Sequence, residues 1–275
     1  VTRLKPSDLA DLGQGLELYE RELQVKTGRT LRQIACRAAG IGEERILKGI
    51  RNTNVGVVSM TIGQGILHGF AEAVRDIIHY LGYKAFVPKL VDVAGLATAI
   101  DQGADVVFMA DDSRFIAVNL STRRIVDNAE ATGRGYGAAL EGLADGMRDR
   151  PVLVIGAGQV GTGSAKILRE MGAHIGVLNR KRPRAQRLAR EVEGVVEEDL
   201  EVALDKYTIL VDASPASGII QARHVKPATI VAAPGIPLGL TSEAQSRIGG
   251  RLIHDPLQIG VATMMISAVH QSRVS

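Results

Sequence analysis

The stretch VLVIGAGQVGTGSAKILREMGAHIGVLNR, residues 152–180, limits what this chain can fold into more than any other. Its first residues are apolar and β-branched, as in a buried strand. Gly156, Gly158 and Gly161 follow in the spacing G-x-G-x-x-G, then a helical pattern to Gly172, then the apolar run HIGVLN. Three such glycines alone are unspecific. Between a strand and a helix they form the dinucleotide-binding fingerprint. Gly156 permits the tight turn, Gly158 lets the backbone approach a pyrophosphate, and Gly161 lets helix and strand pack closely. The free amides of the helix N-terminus then face a dianion. Gly156, Gly158, Gln159, Val160 and Gly161 are the candidate cofactor residues of this turn. The competing reading, a Gly-rich turn without ligand, is disfavoured by the strand–turn–helix–strand setting.

The residue closing the next strand bears on which dinucleotide is held. An acid there would bond the ribose 2′-hydroxyl and favour NAD. This chain has Asn179, followed by Arg180, Lys181 and Arg182. Asn can bond a hydroxyl, and the cations can hold a 2′-phosphate, so NAD and NADP both stay open. A solvated helix start is the plainer account of the cations, though cations are mildly unfavourable at a helix N-terminus. Two later loops, DASPAS and APGIP, each follow an apolar strand. Ala213, Ser214, Pro215, Pro234 and Gly235 are candidates there for contact with the nicotinamide end, with ordinary strand-to-helix turns as the alternative.

The rest of the chain repeats the alternation. Helical stretches at 7–26 and 30–49 lead, the first with Ser7 as its cap. VGVVSM, KAFVP and ADVVFMA read as strands separated by helices, and RFIAVNL as a further strand on the sheet edge. Alternating strands and helices predict parallel sheets. Pro151 breaks a connecting helix over 133–149. The expected architecture is α/β with two domains: residues 1–150, helical and α/β and substrate-binding, and residues 151–275, a Rossmann domain with a parallel sheet. With 45% hydrophobic and 23% charged residues the composition is that of an ordinary globular protein. A net charge of +3 and an aromatic content of 3% supply neither a basic stripe nor a base-stacking platform, so nucleic acid is not an expected partner. No apolar run is long enough for a membrane span, and no signal peptide is read at the N-terminus. The single cysteine, Cys36, fits a reducing cytoplasm.

SDLADL, VGVVSMTIGQGI, GADVVFMADDSRFIAVNL, GAGQVG, DASPAS, APGIP and PLQIGVATMM together resemble the pyrrolysine synthase family over nearly the whole chain. MADD in the first half combined with APGIP and PLQIG in the second is the specific part. The resemblance implies an N-terminal half that helps build the substrate site, a Rossmann domain, and a homodimer. It implies NAD-dependent oxidation of the terminal amine of L-lysine-Nε-3R-methyl-D-ornithine, with loss of ammonia and closure to the pyrroline ring. Family members usually carry an acid where this chain has Asn179, which leaves the NAD preference open.

The acids of MADD can now be given roles. An amine surrenders hydride only when its nitrogen lone pair is free, and a carboxylate beside it would hold it protonated. Asp111 is therefore expected to grip the α-ammonium of the ornithine end rather than the reacting amine, and to accept that amine's proton as general base. Asp112 is expected to bind backbone amides of the following turn. Met60, Ile62 and Phe70 are expected to line the apolar part of the substrate site, with core packing as the alternative for each. Neither His68 nor His254 is a favoured proton carrier, and no metal is expected because the acids lack partner ligands. Two other functions remain: a different NAD(P)-dependent amino-acid or hydroxy-acid dehydrogenase, and a regulator that senses NAD(P) without turnover.

Overall fold

The computed structural model describes residues 4, 9, 12–47, 49–63 and 66–269, without the side chains of Gln14 and Arg51. The expected cap at Ser7 lies outside the described residues. Helices α1 (Leu12–Thr27), α2 (Leu31–Ala39) and α3 (Glu43–Leu47) come first. Thr30 starts α2 with a capping box: its hydroxyl accepts the Gln33 amide, and the Gln33 side chain accepts the Thr30 amide. Then follow β1 (Asn54–Val58), α4 (Phe70–Tyr80), β2 (Lys84–Phe86), α5 (Asp92–Asp101), β3 (Val106–Ala110), β4 (Phe115–Asn119), β5 (Arg124–Asp127) and α6 (Asn128–Leu143). The remainder is β6 (Pro151–Ile155), α7 (Gln159–Glu170), β7 (His174–Leu178), α8 (Arg182–Glu191), β8 (Val195–Glu197), α9 (Leu200–Lys206) and β9 (Ile209–Asp212). It closes with β10 (Ile230–Ala232), α10 (Ser242–Ile248), β11 (Leu252–Ile253) and α11 (Gln258–Val269).

The first sheet has the order β2-β1-β3-β4-β5. Strands β1, β2 and β3 run parallel, and β4 and β5 return antiparallel. Val55, Val106, Val107 and Phe108 are fully buried, as expected of parallel strands covered on both faces. In β4, buried and half-buried residues alternate, the mark of a strand with one face better covered than the other. RFIAVNL is thus an inner strand, not the edge. The edge is β5, a strand the sequence pattern did not single out, in which only Val126 is buried.

The second sheet is parallel throughout, in the order β11-β10-β9-β6-β7-β8. The chain steps from β6 outward to β8 on one side, then returns to β9 on the other. Loops leaving β6 and β9 at their carboxyl ends diverge, and open α/β sheets bind ligands at that reversal. Leu153, Leu204, Leu210 and Val231 belong to the core on this sheet.

The chain forms two compact units. One comprises the residues up to Arg21, Thr30–Ala131 and those from Pro256 onward; the other comprises Glu22–Arg29 and Thr132–Asp255. Two points differ from the expected division at residue 150. The change falls within α6, and the closing helix α11 belongs to the first unit. There α11 packs on α2 and α4, and the Asn119 side chain donates to the Ala268 carbonyl at 3.0 Å. Helix α11 is buried on all sides, so its sequence carries no amphipathic stripe to say which core it joins. No helix among the described residues is long and apolar enough to cross a membrane.

Tyr136 anchors α6 inside the second unit. Its side chain is buried, and its hydroxyl lies 2.8 Å from the Asp255 carbonyl, 3.1 Å from the Asp255 carboxylate and 2.8 Å from the Asp255 amide. Tyr136→Phe leaves these groups short of a partner in a dry site. It should cost about 1–3 kcal/mol, read as a lower urea midpoint at unchanged slope.

Candidate functional site

At the turn after β6 the backbone is bent by Gly156, at φ +103°. The Gly156 amide donates to Leu178 O on β7 at 2.8 Å. A Cβ at Gly161 would stand 1.8 Å from Gly156 O, so helix α7 reaches the strand only because residue 161 has no side chain. A Cβ at Gly158 would meet nothing within 4 Å. The first and third glycines thus serve packing, and the second faces open space at the start of α7, where a pyrophosphate can approach the free amides. Gly158 and Gln159 are exposed and Val160 is half-buried.

Asn179, beyond the end of β7, clasps two backbone segments. Its Oδ1 accepts the Ala157 amide and its Nδ2 donates to Lys181 O, both at 3.0 Å. Arg180, Lys181, Arg182 and Arg184 are exposed.

The loops after β9 and β10 are organised by Asp212, a residue that sequence reasoning passed over. It is fully buried, and its Oδ1 accepts both the amide and the hydroxyl of Ser214 at 3.1 and 2.7 Å. Its Oδ2 lies over Gly239, where a Cβ would be 1.8 Å away. Burial pushes this carboxyl above its ordinary value, against the hydrogen bonds from Ser214. The Asp212 carbonyl accepts the Gly235 amide at 3.1 Å, and Ala213 donates to Ile155 O at 2.9 Å. One acid therefore ties together the segments carrying Ala213, Ser214, Pro215, Pro234 and Gly235. Its only signal in sequence is a carboxylate closing the apolar run TILV. Nearby, His254 is exposed, with Nδ1 2.7 Å from Ala233 O.

The first unit holds a pocket of about 180 Å³ lined by Met60, Ile62, Leu67, Phe70, Asp111 and Asp112, among others. Sequence reasoning named five of these residues. Phe70 packs edge-on against Phe115 at 5.2 Å, and Ile62 is 63% exposed. It is Asp111, rather than the expected Asp112, that binds the backbone amides of the turn. Asp111 Oδ1 accepts the amides of Ser113 and Arg114, each at 2.7 Å. Asp112 Oδ2 instead sits where a Cβ on Gly63 would be, 2.0 Å away. The cause is local: Asp111 is the first residue after β3, so its side chain is the one that can reach back over the turn. The amides of Arg114 and then Ser113 hold the Asp111 carboxyl below the usual carboxylate range. Asp92, also unforeseen, accepts the amide and hydroxyl of Thr61 and so pins the loop bearing Met60 and Ile62.

His68 is exposed, and burial pushes the Cys36 thiol up to about 11, which makes it inert. Among the described residues no cluster of three or more His, Cys, Asp or Glu could hold a metal.

Residues 8–126 match the family model for the N-terminal domain of the pyrrolysine biosynthesis protein PylD. Pyrrolysine synthase of Methanosarcina acetivorans is 28% identical over 269 residues, covering 96% of this chain and 98% of that protein. Pyrrolysine synthase of Methanosarcina barkeri is 29% identical, covering 97% of each. The chain is a relative of the pyrrolysine synthases. Residues 139–232 match the shikimate/quinate 5-dehydrogenase model. Quinate dehydrogenase of Corynebacterium glutamicum, solved with NAD, superposes with a TM-score of 0.53 at 15% identity over 78% of this chain and 92% of that one. Shikimate dehydrogenase of Thermus thermophilus, solved with NADP(H) and shikimate, gives 0.53 at 18% identity, over 78% and 91%. At such identities the likeness is one of fold.

The pyrrolysine synthase relationship spans both the pocket and the glycine turn. The pocket pairs apolar walls with an ionised Asp111, which suits a molecule with an aliphatic body and a cationic end. The glycine turn separates two kinds of substitution. Gly158→Ala should fold with an unchanged unfolding midpoint yet weaken dinucleotide binding about tenfold or more, since its Cβ enters space a pyrophosphate needs. Gly161→Ala should lower the unfolding midpoint as well, because its Cβ meets backbone. Thermal unfolding and nucleotide titration of both variants check this.

Proposed function

We propose that this chain is a nicotinamide-dependent amine oxidoreductase of pyrrolysine biosynthesis. Its substrate is L-lysine-Nε-3R-methyl-D-ornithine, and its product is pyrrolysine. The terminal amine loses a proton, and its carbon surrenders hydride to give an imine. Water adds and ammonia leaves, which uncovers an aldehyde. The α-amine of the ornithine end then attacks that carbon, and loss of water closes the pyrroline ring. A nicotinamide, when bound, would supply the hydride acceptor. Gly156 and Gly161 shape the turn at which Gly158 and the amides of Gln159 and Val160 would hold the pyrophosphate, and the loops bearing Ala213, Ser214, Pro215, Pro234 and Gly235 would border the nicotinamide end. The kinship with the pyrrolysine synthases also supports a homodimer.

The observation that carries this reading is Asp111, an ionised carboxylate that shares a pocket with Asp112 and with the apolar side chains of Met60, Ile62 and Phe70, in a chain similar over nearly its whole length to pyrrolysine synthases. Asp111 holds and orients the α-ammonium. A carboxyl kept below its usual range stays charged but is a poor base, so this orienting role fits it better than proton abstraction. Met60, Ile62 and Phe70 surround the aliphatic part. Away from Asp111, apolar surroundings favour the neutral form of the reacting amine.

Two measurements test this. Purified protein given the substrate with NAD or NADP should reduce the nicotinamide and release pyrrolysine, identified by mass. Tight nucleotide binding without any reduction would overturn the reading in favour of a nucleotide-sensing regulator. Asp111→Asn should raise KM by about 10- to 100-fold, the loss of one charge-assisted hydrogen bond, with a smaller change in kcat. The sign of the pH dependence follows from the depressed carboxyl. Its contribution to binding is complete above the ordinary carboxylate pKa of about 3.9 and is lost only on acidification through the still lower value in the fold. KM of the parent protein should therefore show no acid limb from Asp111 between about pH 5 and pH 8.

A further inference from the structure

The end of β7 is where a dinucleotide-binding fold meets the adenosine ribose. An NAD site places a carboxylate there, which accepts the 2′-hydroxyl and repels a 2′-phosphate. We infer that this site instead selects a dinucleotide with a 2′-phosphate, NADP over NAD, and that Arg180 and Arg184 hold that phosphate. The inference rests on the nicotinamide reading above and goes beyond it in naming the cofactor and the residues that choose it.

Asn179 takes the place of the acid. It has no charge with which to repel a phosphate, and its side chain is already engaged at both ends, by the Ala157 amide and the Lys181 carbonyl. It shapes the turn. The carboxylates on the neighbouring strand are engaged as well. Glu197 pairs with Lys206 at 2.6 Å and accepts the Tyr207 hydroxyl at 2.7 Å, and Glu198 pairs with Arg182 at 2.5 Å.

The cations are left over. Arg180, Lys181 and Arg184 are exposed and have no ion-pair partner among the described residues. They crowd the N-terminus of α8, a ten-residue helix with no acid in its first turn and no side-chain cap at Lys181. Like charges so placed repel one another and oppose the helix dipole. A phosphate dianion relieves both. Arg182 is tied to Glu198, which leaves Arg180 and Arg184 to offer the forked guanidinium donors that match phosphate oxygens.

The test is equilibrium titration of the full chain with NADP and with NAD, followed by competition with 2′-phosphoadenosine and with adenosine. NADP should bind about 10- to 100-fold more tightly than NAD, and 2′-phosphoadenosine should displace it far better than adenosine. In Arg180→Ala/Arg184→Ala that ratio should fall toward one through loss of NADP affinity. The thermal midpoint should hold, since both side chains are exposed. Raising salt should weaken NADP more than NAD. Tighter binding of NAD, or full discrimination retained by the double variant, would overturn this inference and leave the oxidoreductase reading standing. Binding of neither nucleotide would overturn both.

Discussion

The contact between Gly156 and Gly161 is the constraint on which the second unit depends. The carbonyl of one occupies the place that a side chain on the other would need. That approach sets the angle at which α7 leaves β6. It also puts the first amides of α7 at the mouth of the reversal between β6 and β9. Free amides at that mouth thus follow from packing: the helix starts there because Gly161 lets it approach the strand, and its unpaired amides come with it.

Three positions at the carboxyl ends of strands show how hydrogen bonds, rather than residue type, divide labour among similar groups. Asp111 follows β3, Asp212 closes β9 and Asn179 follows β7. Two amides on one oxygen of Asp111 keep it ionised and leave its other oxygen available in the pocket. Desolvation acts the opposite way on Asp212, which is buried among the loops it joins. Asn179 has both side-chain ends engaged by backbone and shapes the turn. Charge state and accessibility separate a binding group from an organising one.

The first unit reaches its pocket by a different route. Its parallel strands β1 and β3 are buried and featureless to solvent, and chemistry appears only where each strand ends. The segment after β1 carries Met60 and Ile62 and is pinned by Asp92 through Thr61. The segment after β3 carries the two acids, and Gly63 accommodates Asp112 at a distance no side chain would tolerate. Met60 and Ile62 on one side and the two acids on the other are thereby fixed at the ends of separate strands of one sheet.

By itself the sequence determined what depends on neighbours along the chain. The glycine spacing, the apolar runs and the helix starts are local backbone requirements, and a few consecutive residues express them in full. The α/β class and the Rossmann half were legible for that reason; Met60, Ile62, Phe70 and Asp111 were named from strand ends together with the family resemblance, and they line one pocket. Only the tertiary structure decided what depends on distant partners. Helix α11, apolar on every side, says that it is buried but not in which core. RFIAVNL reads alike as an edge or an inner strand, because the pairing of β5 lies beyond its own pattern. The uses of Asp212, Asn179 and the cations after it rest on groups brought from other strands and loops. The charge, burial and freedom of a polar side chain are set by what surrounds it in space, and adjacency in sequence does not encode that.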